Sequence, residues 1–163
     1  MIHKRSTDYA ADDAPTVLAV NEIIEKLNIP MSTRILLLQP TSPFREASLL
    51  EKIQGFSIDI DTSILSVTKA SNHPLKTFKA DGHMLQIEDS TKLALATPRQ
   101  QLGTFYVPDG SIYNTSAHNL LINKSFYSKK NIGVFNDFPW NINIDEQKDL
   151  MIANFVAKSR ISM

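Results

Sequence analysis

Four consecutive aliphatic residues, Ile35-Leu-Leu-Leu38, run directly into Gln39-Pro-Thr-Ser-Pro-Phe-Arg45. A run this short, closed by two prolines, reads as a strand covered on both faces, the form common in parallel sheets. Proline has no N–H for a ladder, so the strand cannot continue through the loop. Before it, Val17, Val20, Ile23, Ile24 and Leu27 recur at three- and four-residue spacing. That stripe predicts an amphipathic helix, with Pro15 near its start and Asn28 and Pro30 near its end. A second helix pattern follows at Ala47, Leu49, Leu50 and Ile53, and then a second strand at Ser63–Thr68. Strand, helix, strand predicts an α/β layered sheet. Ligands of such sheets bind beyond the carboxyl ends of the strands, and the polar loop 39–45 lies at such an end.

From about Asn72 to Gln101, Pro74, Asp81-Gly82 and Pro98 break the chain into short extended pieces, with a hairpin turn expected at Asp81-Gly82. Leu75, Phe78, Met84, Leu85 and Ile87 are too apolar for a solvated arm. Residues 71–104 therefore read as an excursion from a single domain spanning 1–163, covered by a second subunit. Beyond it, Gly110–Tyr113 and Ile132–Phe135 read as strands and Ala117–Leu121 as a helix fragment. A last helix starts at Glu146 behind Ile142-Asn-Ile-Asp145.

Composition removes several classes of function. Seventeen basic residues balance seventeen acidic ones, so there is no cationic excess for nucleic acid. The chain has no cysteine, which excludes disulfides, zinc thiolates and a cysteine nucleophile. No stretch approaches a membrane span, and Met1-Ile-His-Lys-Arg has no apolar signal core, so a soluble cytoplasmic protein is expected. The four histidines (His3, His73, His83, His118) lack the close pairing of a metal site. Asn114-Thr-Ser116 and Asn123-Lys-Ser125 match glycosylation sequons by chance.

Three motifs carry chemistry, and each has a plainer reading. Gln39 to Arg45 offers an amide, two hydroxyls and a guanidinium, which suit a hydroxyl-rich ligand bearing a carboxylate. The plainer reading is a proline-shaped turn with Thr41 or Ser42 capping the next helix. Asn143-Ile-Asp145 would place two side chains on one face of a strand, as a weakened Mg²⁺ pair. The alternative is that Asp145 caps the last helix. Arg99-Gln-Gln101 presents a cation after Pro98, for an acidic ligand or simply for solvent.

The order of these segments resembles the acylneuraminate cytidylyltransferases. The likeness runs through Arg5, Ala10-Ala-Asp-Asp-Ala-Pro-Thr16, Leu37-Leu-Gln-Pro-Thr-Ser-Pro-Phe-Arg45, Ser66-Val and His73-Pro-Leu-Lys76. It continues through Pro98-Arg-Gln-Gln-Leu102, Pro108-Asp-Gly-Ser-Ile-Tyr113, Phe126-Tyr127 and Ile142-Asn-Ile-Asp-Glu146. The resemblance implies a Rossmann-like nucleotidyltransferase sheet. It implies that CTP and a nonulosonic acid such as N-acetylneuraminic acid give the CMP-sugar and pyrophosphate, with Mg²⁺, in a homodimer. By motif, Gln39, Thr41 and Ser42 fall on the sugar-side loop, and Tyr113, Phe126 and Tyr127 on the wall of the sugar pocket. Arg5 falls near the nucleotide phosphates, Lys76 and Arg99 on the dimerisation excursion reaching the partner's site, and Asp145 with Asn143 at the metal.

The departures are equally specific. The family's glycine-rich phosphate loop has no counterpart here, so the resemblance implies an N-terminally truncated member whose nucleotide segment is missing. Asn143 stands where the family has aspartate. Val107 replaces an arginine, and Asp109 an asparagine, in the motif that contacts the sugar. A non-catalytic homologue that binds sugar or dimerises is the alternative.

Overall fold

The structure is a computed structural model and describes residues 4–9, 11, 14–87 and 92–161. His3, Ala10, Asp12 and Asp13, which bear on the sequence reading, lie outside the described residues. Helix α1 (Thr16–Lys26) leads into strand β1 (Arg34–Leu38), helix α2 (Ala47–Gly55) and strand β2 (Thr62–Lys69). Strands β3 (Lys79–Asp81) and β4 (Met84–Gln86) and the short helix α3 (Lys92–Ala96) follow. Strand β5 (Tyr106–Ser116) runs straight into helix α4 (Ala117–Asn123), and strand β6 (Lys130–Phe135) and helix α5 (Gln147–Ile161) complete the order. The chain divides into two compact units, one running to Val67 and resuming at Pro108, the other Thr68–Val107.

The first unit holds a four-stranded mixed sheet in the order β1-β5-β2-β6. β1 is antiparallel to β5, from Arg34 opposite Ser116 to Leu38 opposite Ile112. β2 is parallel to β6, from Thr62 opposite Lys130 to Val67 opposite Phe135. The expectation of a parallel strand at Ile35–Leu38 is corrected here, since β1 is the antiparallel edge of this sheet. Its continuous apolar run has a different cause. Ile35 faces Ile24, Ala117 and Leu120 in one core cluster, while Leu36 faces Leu49, Ile53, Ile64 and Ile112 in another. Both faces are covered, and that alone demands apolar residues at successive positions. Hydropathy records facial burial but not the direction of a neighbouring strand.

A third cluster joins Ile142, Ala153 and Val156 to Phe44 and Ile144. Helix α5 thereby clamps both the 39–45 loop and the 142–145 segment. Its start is capped by Asp149, whose Oδ2 accepts from the Asp145 N–H at 3.2 Å and the Glu146 N–H at 2.9 Å. That is the reaching-back half of a capping box. The cap read from sequence onto Asp145 therefore belongs to Asp149. Asn143 and Asp145 also lie outside any strand, in an irregular stretch before α5.

In the second unit, β3 and β4 form a two-stranded antiparallel ribbon with Asp81 opposite Met84. The two turn residues are thus Gly82 and His83, one step later than the Asp81-Gly82 signal suggests, with Gly82 at φ 58°. Single helical turns at Pro74–Lys76 and Arg99–Gln101 flank the ribbon in sequence. Among the described residues, no helix is long and apolar enough to cross a membrane.

Candidate functional site

The loop that leaves β1 is held from three sides. The Ser42 N–H bonds the Gln39 carbonyl at 3.2 Å, closing a turn around Pro40 and Thr41. The Thr41 carbonyl accepts from the Ile144 N–H at 2.8 Å, and Ser42 Oγ donates to Asn143 Oδ1 at 3.3 Å. Arg45 donates through its guanidinium to the Gln39 carbonyl and, at 3.4 Å, to the Ser111 carbonyl. Burial pulls the Arg45 guanidinium below its ordinary value, and the Asp109 carboxylate opposes that pull. Arg45 is therefore spent on orienting the loop.

Beneath the loop lies a polar network. Asp109 is 6 % exposed. Its Oδ1 accepts from Ser66 Oγ and, at 3.0 Å, from the Ser111 N–H, while its Oδ2 accepts from Asn136 Nδ2. The same Asn136 nitrogen donates to the Trp140 carbonyl at 3.1 Å. The carboxylate is thus directed at donors from β2, β5 and the end of β6. Both oxygens of the Asp109 carboxylate are therefore hydrogen-bonded within the protein. Beside it, Gly110 has φ 79°, and a Cβ there would lie 3.2 Å from both Asn143 Cγ and Gln39 Oε1. Only glycine lets β5 pass so close beneath these two amides.

Two cavities open on this framework. The larger, about 620 Å³, is lined by Gln39, Asp109, Gly110, Tyr113, Asn141, Asn143 and Asp145, with Glu146, Lys148 and Asp149 from the start of α5. The smaller, about 280 Å³, is lined by Thr16, Gln39, Tyr113, Lys124, Ser125, Phe126 and Tyr127 among others. Gln39 and Tyr113 line both. The Tyr113 ring lies 5.3 Å from Phe126 and 6.3 Å, edge-on, from Tyr127. Burial, with Tyr127 beside it, pushes the Tyr113 hydroxyl up to about 12, so it stays a neutral hydroxyl throughout the physiological range.

Of the residues singled out in the sequence, Gln39, Asp109, Tyr113, Phe126, Tyr127, Asn143 and Asp145 line one or both cavities. Ser42 is buried behind Asn143 and Thr41 is exposed; neither lines the two cavities. Arg5 is also apart from them, with its guanidinium on the Tyr9 carbonyl at 3.4 Å. Lys76 and Arg99 belong to the second unit. Lys76 Nζ bonds the Leu95 carbonyl at 3.3 Å, and Arg99 lines a cavity of about 410 Å³ with Lys69, Ser71, His73, Thr104 and Phe105. Sequence reasoning missed Lys124, Asn141, Lys148 and Asp149. Periodicity marks the last two as helix surface, and only the fold turns the start of α5 toward Gln39.

The donor set limits how a metal could be held. Among the described residues, no three His, Asp or Glu side chains converge as a metal cluster. Asn143 Nδ2 donates to Asp145 Oδ2 at 2.8 Å, and its oxygen already accepts from Ser42. Asp145 is left as one exposed carboxylate. That fits a Mg²⁺ ion whose remaining ligands are water and substrate phosphates, the usual manner for this ion, but not a resident ion in a protein cage.

Comparison with known proteins adds one observation. Over 130 residues the chain is 28% identical to the CMP-N,N'-diacetyllegionaminic acid synthase of Legionella pneumophila, covering 77% of this chain and 54% of that protein. The chain is similar to a CMP-nonulosonic acid synthase. It spans about half the length of the curated relative it matches. No family model matches the sequence.

Proposed function

We propose that the chain forms the sugar-acid side of a cytidylyltransferase site, where a nonulosonic acid is joined to CTP to give a CMP-sugar and pyrophosphate. One observation carries this reading. The two cavities that meet at Gln39 and Tyr113 are lined by seven of the residues singled out in the sequence, and 77% of the chain is covered by the similarity to a CMP-sugar-acid synthase. A ring bearing several hydroxyls and an N-acyl arm matches the pair. Amides and carboxylates in the larger cavity bond hydroxyls, and three aromatic rings in the smaller one take the acyl methyl.

In this reading Gln39 and Tyr113 orient the sugar, Phe126 and Tyr127 wall the acyl group, and Asn143 is held for its role by Ser42. Thr41 keeps the loop on the 142–145 segment through its carbonyl, and Asp109 supports the floor. Asp145 is the carboxylate offered to Mg²⁺, which when bound neutralises charge on the transferred phosphate. Arg5 would serve the nucleotide phosphates. Lys76 and Arg99 would serve the acid sugar across a homodimer. N-acetylneuraminic acid is the representative substrate.

A second reading has its own support. The five glycines (Gly55, Gly82, Gly103, Gly110, Gly133) are scattered, so no glycine-rich loop is present to cradle a triphosphate with backbone N–H groups. That reading is a sugar-binding module without turnover. Calorimetric titration tests the acid-sugar site that both readings share, and micromolar, Mg²⁺-dependent CTP binding by the chain would favour the cytidylyltransferase over the module. Binding of N-acetylneuraminic acid without micromolar, Mg²⁺-dependent CTP binding is the expected result for this chain alone. No saturable binding of the acid sugar at millimolar concentration refutes the sugar-acid site itself.

A further inference from the structure

The two cavities differ sharply in charge. Apart from the buried and internally bonded Asp109, the larger is lined by the carboxylates of Asp145, Glu146 and Asp149, and the one cation among its described lining residues, Lys148, is paired with Glu146 at 2.8 Å. A ligand carboxylate is repelled there. Among the described residues, the lining of the smaller cavity holds no acidic side chain and one basic one, Lys124. The Lys124 ammonium has no hydrogen-bond or ion-pair partner among the described residues. Tyr113, already held as a neutral hydroxyl, stands between the two compartments.

The backbone at Lys124 makes its identity informative. Lys124 ends α4 in the left-handed conformation, φ 48° and ψ 42°. The other non-glycine residue of positive φ among the described residues is Asn28, just past α1. Asparagine is a residue that tolerates this region, and lysine is not. A residue chosen only to end α4 would be glycine or asparagine. A strained backbone that presents an unpaired cation beside three aromatic rings is a reason to look for its ligand.

We propose that Lys124 is a specificity-determining residue that meets the carboxylate of the acid sugar from within the same chain, at the mouth of the aromatic cavity. The inference rests on the sugar-acid reading above and adds a cation to it that neither the motif likeness nor Lys76 and Arg99 supply. Removing the side chain has opposite effects on fold and ligand, because glycine relieves the backbone while the charge is lost.

The test is titration of the intact chain with N-acetylneuraminic acid and with its methyl ester, comparing wild type, Lys124→Gly and Lys124→Arg. Wild type should prefer the acid by about ten-fold or more. Lys124→Gly should melt no lower than wild type, lose about ten-fold in affinity for the acid and nothing for the ester, and Lys124→Arg should recover most of the loss. A Lys124→Gly protein that keeps the acid preference, or weakens equally toward acid and ester, overturns the inference and leaves the sugar-acid site standing. A wild type that binds neither ligand overturns the site and the inference together.

Discussion

Asp109 shows how a single side chain can be misjudged from its neighbours in sequence. Read as a string, a carboxylate in a motif facing an anionic sugar is a source of repulsion. In the fold, its oxygens are taken by Ser66, the Ser111 N–H and Asn136. No sequence pattern could reveal this, because Ser66 and Asn136 are 43 and 27 residues away. Substitution should separate charge from connectivity. Asp109→Ala removes the acceptor shared by three buried donors and should cost about 3 kcal/mol of stability. Asp109→Asn keeps one carbonyl oxygen, and Ser66 Oγ can turn to the Ile112 carbonyl 3.3 Å away, so about 1 kcal/mol is expected. Urea denaturation measures both. An alanine variant no less stable than the asparagine variant would show that the network contributes nothing as a network.

At the scale of elements, most of the first unit was legible. The apolar stripe of α1, the aliphatic runs of β1 and β2 and the polar break at Gln39 each follow from one local pattern, and each element forms where that pattern places it. Pairing was not legible. β1 is an antiparallel edge because β5 lies beside it, and an edge covered by helices on both faces has the same composition as an interior strand. The cap of α5 failed for a related reason. Asp145, Glu146 and Asp149 all cluster at a helix start, where negative charge is favoured. Which carboxylate bends back is decided by φ and ψ at the first turn. The hydrogen bonds give a direct test, since Asp149 holds two N–H groups while Asp145 only accepts from Asn143. Asp149→Ala should lower stability by about 1 kcal/mol, and Asp145→Ala should change it by less than about 0.5 kcal/mol. Thermal unfolding compares them, and equal losses would return the cap to Asp145.

At the scale of the whole molecule, the second unit carries exposed apolar surface that a partner would cover. Its ribbon has strands of three residues each, and a two-stranded hairpin of this size is marginal in water. Met84 is 72% exposed and Leu85 61%. Neighbours on one strand point to opposite faces, so the ribbon is uncovered on both. Phe78, 46% exposed, adds a third large apolar side chain. Exposed apolar surface of this density on so small a unit is what a second copy would bury, and it is the physical basis for proposing a homodimer through residues 68–107. Light scattering across a concentration series should find wild type associated at micromolar concentration. Met84→Asp combined with Leu85→Asp changes only exposed side chains, so it should leave the circular dichroism spectrum intact and shift the protein to monomer. A wild type that stays monomeric and melts cooperatively, or a double variant that still associates, would move the interface away from this ribbon. Lys76 and Arg99 would then lose their proposed route to a partner's sugar, leaving Lys124 to meet the carboxylate alone.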